Sequence, residues 1–184
     1  SIKYDECGEN PRTAWDNLGT CIFFHKRYDF GDKHDIDAND YEGFEAMKKA
    51  LIKEGARVIL PVYMYDHSGQ TIATKPFGDR WDSGQLGFIV AYADDIRKEY
   101  GAKRITRILL QKVTDILQGE IEVLDQYVRG EVYTMKVTNT ETGETDYCGG
   151  FYGDTNDNGI FDNVSIEGLT VERYNEVFRE ANWK

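Results

Sequence analysis

The strongest constraint on the fold is an apolar stripe that runs from Lys103 to about Val128. Its hydrophobic residues recur at mixed spacings of three and four, which places them on one side of an α-helix. They are Ile105, Ile108, Leu109, Val113, Ile116, Leu117, Ile121, Leu124 and Val128. We predict one long helix over residues 103–128, in which Gly119 costs about 1 kcal/mol and marks a bend.

Short segments rich in β-branched and aromatic residues predict a sheet for this helix to pack on. Turn sequences join them into hairpins, and Pro61 places its strand at an edge or at a bulge. The predicted strands are 19–25, 57–65 paired with 71–74, 86–92, and 131–138 paired with 145–152. Hairpins interleaved with helices, without a β-α-β rhythm, predict an α+β fold with a largely antiparallel sheet.

Shorter helices are predicted from capping signals. Asn39 and Glu42 have the spacing of a capping box, which predicts that a helix begins there, and Gly55 is expected to end this helix. Asp94 is expected to cap a helix that ends at Gly101, and a last helix is expected over residues 170–182. We predict an irregular N-terminal arm over residues 1–18 and a single α+β domain over residues 19–184.

The charge of the chain is unevenly distributed. Residues 1–45 carry five Lys and Arg against eleven Asp and Glu, and residues 131–184 carry four against eleven, within a net charge of −11. An acidic surface repels nucleic acid and attracts the basic surfaces of nucleic-acid-binding proteins. The chain can therefore occupy a polyanion site on a basic partner, or the charge can simply keep the domain in solution.

The candidate partner-binding carboxylates lie in segments with the composition of surface turns. One group lies in the loop of residues 28–40, and the other lies in the C-terminal hairpins. The candidates are Asp29, Asp32, Asp35, Asp37, Glu141, Glu144, Asp154 and Asp157.

A metal-dependent hydrolase is the alternative function. His25, His34 and His67, with the carboxylates of the loop up to Asp37, could supply ligands for a hydrolytic metal site. Separately, the three scattered cysteines, whose number and spacing are typical of a reducing compartment, could hold a metal together with one of these histidines. The spacing contains no compact ligand pair, so we expect no catalytic residue, no metal and no cofactor. An acidic surface loop with ion pairs between its side chains would contain the same residues without binding a metal.

A calcium-stabilised interaction module is a third reading. Asp154, Asn156, Asn158 and Asp162 match the first half of a calcium loop, with Gly159 at the sixth position. The twelfth position is Ser165 and not a bidentate Glu. We therefore expect an Asx-rich loop that needs no ion.

Two further observations bear on partners. Lys and Arg cluster between Arg97 and Lys112, which is either a patch that contacts phosphates or a solvated helix face. No apolar run is long enough to span a bilayer and no signal peptide is visible, so we expect a cytoplasmic protein.

Several segments resemble a family of small acidic proteins encoded by bacteriophages and other mobile elements. The resemblance covers most of residues 16–153. It is carried by residues 16–20 (DNLGT), 25–34 (HKRYDFGDKH), 61–63 (PVY), 65–69 (YDHSG), 81–88 (WDSGQLGF) and 150–153 (GFYG).

The resemblance extends to type II-A anti-CRISPR proteins, which bind Cas9 and stop it from cutting DNA. It implies a stoichiometric inhibitor of a host defence enzyme, and it transfers no catalytic residue. The acidic segments suit such a partner, because the nucleic-acid channel of Cas9 is positively charged.

Overall fold

The computed structural model of the protein describes residues 1–79, 81–139, 141–155 and 157–160. These residues form helices and antiparallel sheets, which confirms the predicted α+β class. In chain order the elements are β1 (Ile2–Tyr4), α1 (Pro11–Ala14), β2 (Thr20–Phe23), a 3-10 helix (Ala38–Asp40), α2 (Phe44–Lys53), β3 (Ala56–Asp66), β4 (Gln70–Ala73), β5 (Ser83–Tyr92), α3 (Ala93–Tyr100), α4 (Arg107–Val128), β6 (Val132–Thr138) and β7 (Thr145–Tyr152).

The chain divides into two compact units. The central unit consists of residues 10–129, and the terminal unit consists of residues 1–9 with the described residues from 130 onward. The predicted boundary at residue 19 lies inside the central unit. Residues 1–18 are not an irregular arm, because they contain strand β1 and helix α1, whose first turn is capped by Asn10.

The central unit is built on a four-stranded antiparallel sheet in the order β2-β5-β3-β4. Helix α4 packs on one face, where Val113, Leu117 and Leu124 are fully buried in a cluster that contains Ile89 and Ala91. Helix α2 belongs to the cluster of Phe88 and Val90. Because successive strand residues point to opposite faces, both faces of β5 are covered, which explains its uninterrupted apolar sequence.

The long helix is confirmed, with a later start than predicted. Thr106 caps it by accepting a hydrogen bond from the Leu109 N–H at 3.2 Å, so that α4 begins at Arg107. The helix continues through Gly119. Ile108 does not belong to the buried stripe, because it is 84% exposed.

The predicted capping box at Asn39 and Glu42 is wrong. Gly43 adopts a left-handed φ of 89° and precedes α2, which begins at Phe44 without a side-chain cap. The carboxylate of Asp37 accepts a hydrogen bond from the Asn39 N–H at 2.9 Å and caps the 3-10 helix. Asp94 likewise lies inside α3 and does not cap it, whereas Gly101 ends that helix as predicted.

The position of Pro61 agrees with its missing N–H. Strand β4 pairs with β3 only from Tyr63 to Asp66, so among the described strands Pro61 has a neighbour on the β5 side alone. A register shift follows between Val62 and Tyr63. The strand therefore carries both an open edge and an irregularity near its proline.

The terminal unit contains an antiparallel sheet in the order β1-β6-β7, which includes the predicted second hairpin. Met135, Phe151 and Ile160 form its buried cluster.

Asp5 ties the N-terminal segment to this sheet. Its pKa lies below the ordinary value because Thr134 donates a side-chain hydrogen bond and the amides of Cys7 and Gly150 donate two more. The predicted helix over residues 170–182 lies outside the described residues.

A close approach between β2 and β5 generates the first prediction. A Cβ atom on Gly87 would lie 2.0 Å from the backbone oxygen of Ile22, whereas one on Gly84, in the same strand, would meet nothing within 4 Å. We expect Gly87→Ala to lower the free energy of unfolding by about 3 kcal/mol, because a backbone atom must move.

Urea denaturation of both variants checks this expectation. Gly84→Ala is the matched control and should change the free energy of unfolding by less than about 1 kcal/mol. Equal unfolding free energies for the two variants would show that the contact at Gly87 does not limit the packing of β2 on β5.

Candidate functional site

A buried arginine positions the acidic loop that follows β2. The Arg12 side chain is only 2% exposed, and it lies between Asp32 of the loop and Glu120 of α4. Its Nε and Nη2 atoms donate to the two oxygens of Asp32 at 3.1 and 2.6 Å, and Nη1 donates to Glu120 Oε2 at 2.8 Å. Nη2 also donates to the carbonyl oxygen of Gly19. We call Arg12, Asp32 and Glu120 the buried ion network.

The two carboxylates of this network also hold the backbone on either side of the start of β2. Glu120 accepts hydrogen bonds from the amides of Leu18 at 2.8 Å and Gly19 at 3.2 Å. Asp32 Oδ2 accepts from the Cys21 N–H at 2.7 Å, and the Asp32 N–H donates to the Cys21 carbonyl at 3.0 Å. Asp32 therefore covers part of the outer edge of β2.

Close packing also fixes the loop at Gly31. A Cβ atom there would lie 2.9 Å from the Cys21 carbonyl oxygen and 3.1 Å from the ring of Phe23. Only glycine lets the loop come this near to β2 without displacing either group. The Asp32 carboxylate is thereby brought against the strand.

Burial and the paired charges act in opposite directions on Arg12. Burial lowers its pKa, but the hydrogen bonds to Asp32 and Glu120 and the nearby negative charge outweigh burial, so the pKa is raised and the guanidinium stays charged. Burial also raises the pKa of the Cys21 thiol, against the opposing effect of Arg12. Cys21 is therefore a protonated, buried side chain at neutral pH, whereas Cys7 and Cys148 are exposed.

The remaining predicted carboxylates of this loop face solvent. Asp29, Asp35 and Asp37 are exposed, and none of them forms an ion pair with a described residue. Asp37 also caps the 3-10 helix. Asp32 differs from them, because both of its oxygens are engaged inside the central unit. The structure thus makes Asp32 the anchor of the loop.

The predicted carboxylates of the terminal unit lie at the β6–β7 turn and after β7. Glu141, Glu144, Asp154 and Asp157 are all exposed. The Asn139 side chain accepts from the Glu141 N–H at 2.9 Å, and Glu144 accepts from the Thr142 hydroxyl at 3.1 Å. The Asp154 carbonyl accepts from the amides of Asp157 and Asn158. Asn156 and Asp162 of the predicted calcium loop lie outside the described residues.

The three histidines of the alternative metal site have different surroundings. His25 Nδ1 accepts from the amides of Arg27 and Tyr28, and His34 Nε2 donates to the Phe23 carbonyl at 3.2 Å. His67 Nδ1 lies 3.0 Å from an oxygen of Asp82. In the described parts of the chain, no three His, Cys, Asp or Glu side chains are grouped so that they could hold a metal ion.

A polar cluster that sequence reasoning did not predict forms at one end of the central sheet. Arg27 pairs with Asp66, and the Asp66 N–H donates to the Asp82 carbonyl at 2.9 Å. Gln70 donates to both the Tyr28 hydroxyl and Asp66 at 2.9 Å. These contacts join three segments that are distant in the sequence, and Asp66 and Asp82 line a small cavity of ≈ 160 Å³. Trp81 stands beside them with 95% of its surface exposed.

A larger cavity of ≈ 620 Å³ lies beside the buried ion network. Its lining includes the carboxylate residues Asp16, Asp95, Glu99 and Glu120 together with Lys98. The excess of carboxylates makes this cavity attractive to a cationic group.

Comparison with known proteins identifies no relative. The chain matches no protein-family model, no curated protein and no solved structure. No helix in the described part of the chain is long and apolar enough to cross a lipid bilayer.

Sequence reasoning missed Arg12 and Glu120. One signal was present for Glu120, because it occupies a position between Leu117 and Leu124 at spacings of three and four on the inward stripe of α4. A carboxylate on such a stripe requires a charged partner. Arg12 had no comparable signal, because its partners lie 20 and 108 residues away.

The buried ion network generates the second prediction. We expect Arg12→Ala to lower the free energy of unfolding by about 3–5 kcal/mol, because two partly buried carboxylates lose their counter-charge. Chemical denaturation at neutral pH measures this loss.

Arg27→Ala is the matched control, since Arg27 also pairs with an aspartate but its side chain is 67% exposed. The control should lose less than about 1 kcal/mol. A loss for Arg12→Ala no larger than the control's would contradict the anchoring role of the network.

Proposed function

We propose that this protein is an acidic inhibitor, encoded by a phage or another mobile element, that binds a nucleic-acid-targeting defence enzyme in the cytoplasm of the host bacterium. Cas9 is the leading target, which makes the protein an anti-CRISPR. It acts by occupying a basic surface of the enzyme and so blocking DNA cleavage, and not by catalysis.

The observation that carries this proposal is the exposed acidic loop of the central unit. Asp29, Asp35 and Asp37 are exposed and form no ion pair with a described residue, while Asp32 fixes the loop through Arg12. A loop that is already ordered loses less conformational entropy on binding than a mobile one. Anchored carboxylates are therefore suited to a defined contact with Lys and Arg.

The target class follows from charge complementarity. Cas9 holds its guide–target heteroduplex in a positively charged channel, and such a surface attracts carboxylates as it attracts phosphates. Opposite potentials also speed diffusional encounter. The exposed Glu141, Glu144, Asp154 and Asp157 of the terminal unit supply a second set of contacts of the same sign.

The polar cluster at the end of the central sheet joins segments that carry the resemblance on which the proposal draws. The segments 25–34, 65–69 and 81–88, which carry the resemblance to phage proteins, are distant in sequence. The Arg27–Asp66 and His67–Asp82 pairs bring parts of them together. The exposed Trp81 adds the kind of aromatic side chain that is enriched among binding hot spots.

A Cas9 cleavage assay with a charge-altered variant tests the proposal. The variant Asp29→Lys/Asp35→Lys/Asp37→Asn removes the loop's negative charge and keeps an acceptor at the cap of the 3-10 helix. We expect association with Cas9 to slow by at least about tenfold and to become less sensitive to salt, because encounter depends on these charges. Stopped-flow or surface-based binding kinetics measure both effects beside the cleavage assay.

The matched control is Glu42→Lys/Glu54→Lys/Glu99→Gln, which changes the net charge equally at exposed residues outside the loop. It should inhibit cleavage nearly as well as the unaltered protein. Undiminished cutting by diverse Cas9 proteins at excess protein contradicts the Cas9 proposal. Full inhibition by the loop variant contradicts the electrostatic contact.

A further inference from the structure

We propose that the start of helix α4 carries a second binding surface, of opposite charge to the acidic loop, that contacts the phosphodiester backbone of a nucleic acid. The surface consists of Lys103, Arg104, Arg107 and Lys112, and we call it the α4 basic patch. This inference goes beyond the proposed inhibition of Cas9 and does not depend on it.

The cations of the α4 basic patch are exposed and available. All four residues face solvent, and none forms an ion pair with a described residue. The nearest acid along α4, Asp115, accepts a hydrogen bond from Gln111 at 2.9 Å. On α3, Asp94 is paired with Arg97. In a protein of net charge −11, these four cations are thus free of ion pairs with the described residues, and the nearest exposed acid of α3 is Glu99, beside Tyr100.

One cation of the patch has a defined contact, and the end of the helix adds to the positive field. Lys112 holds its ammonium 4.7 Å from the centre of the Tyr100 ring, a cation–π contact that fixes one positive charge. Arg107 and Ile108 occupy the first two positions of α4, where backbone amides have no acceptor within the helix. The positive end of a 22-residue helix therefore adds to the field of the side chains.

Distance along α4 separates this patch from the acidic loop. Glu120 belongs to the buried ion network that anchors the loop. At 1.5 Å per residue it lies about 20 Å along the helix axis from Thr106 and about 12 Å from Lys112. The Debye length at physiological salt is about 8 Å, so the repulsion that the anchored loop exerts on a polyanion is largely screened at the patch. A local basic surface can therefore act on an acidic protein.

The chemistry of the patch fits phosphates. Lys and Arg with free amides are the groups that contact the nucleic-acid backbone without reading sequence. Ile108 lies among them with 84% of its surface exposed, and it offers an apolar contact to sugars or to unstacked bases. The patch therefore predicts affinity for nucleic acid of any sequence.

Fluorescence anisotropy with a labelled duplex DNA and a labelled single-stranded RNA, without Cas9, tests the proposal. Four phosphate contacts predict that the logarithm of the DNA-binding constant falls with the logarithm of salt concentration at a slope of about −3 to −4. We expect Lys103→Gln/Arg104→Gln/Arg107→Gln to reduce that slope by about 3 and to weaken binding at low salt by at least about tenfold. The DNA and RNA arms show which backbone is preferred.

Two control variants keep the outcome decisive. Lys49→Gln/Lys53→Gln/Arg57→Gln removes the same charge from exposed residues around α2 and should bind like the unaltered protein. Arg104→Lys/Arg107→Lys keeps the charge and should retain most of the affinity. Circular dichroism confirms that each variant is folded.

Three results overturn the proposal. The first is no binding of either nucleic acid at low salt, and the second is an equal loss of affinity in the α2 control. The third is a dimer in sedimentation that the α4 variant abolishes while nucleic acid does not bind, which would assign the patch to the acidic loop of a second copy of the chain.

Discussion

The central unit depends on the charge of one buried arginine. Arg12 neutralises Asp32 from the loop after β2 and Glu120 from α4, and these carboxylates accept backbone amides at the start of β2. A buried cation of this kind is costly unless every partner is in place. The short helix α1, the edge strand β2, the acidic loop and the long helix are thus ordered together.

This arrangement links packing to the proposed activity. Asp32 binds Arg12 and anchors the loop, whereas Asp29, Asp35 and Asp37 face solvent. The surface of the central unit combines the acidic loop with the α4 basic patch, whose cations form no ion pair with a described residue. An inhibitor of a nucleoprotein enzyme can use both signs, because its target presents basic protein surface and nucleic-acid backbone together.

The sequence predicted the elements whose signals are local. The sequence predicted helix α4 from its apolar period, the β3–β4 hairpin from its turn, and β6 from its alternation, because each of these signals depends on neighbouring residues. The start of α2 was predicted wrongly, since Gly43 interrupts the chain after a plausible cap. The pairing of β1 with β6 joins residues more than 100 positions apart, and no short-range pattern encodes it. The composition of the acidic loop predicted that it is exposed. The anchoring role of Asp32 was not predicted, because its partner Arg12 lies in a distant segment that was predicted to be irregular.

Amide hydrogen exchange of the central unit tests the anchoring role of Arg12 most directly. The amides of Leu18, Gly19 and Cys21 have side-chain carboxylates as their acceptors, so their protection reports the network and not strand pairing. If Arg12 anchors the loop, these three amides exchange as slowly as those of buried α4 residues such as Leu117, while the amide of Asp35 exchanges quickly. Exchange of all three at the rate of Asp35 would contradict the anchoring role of Arg12.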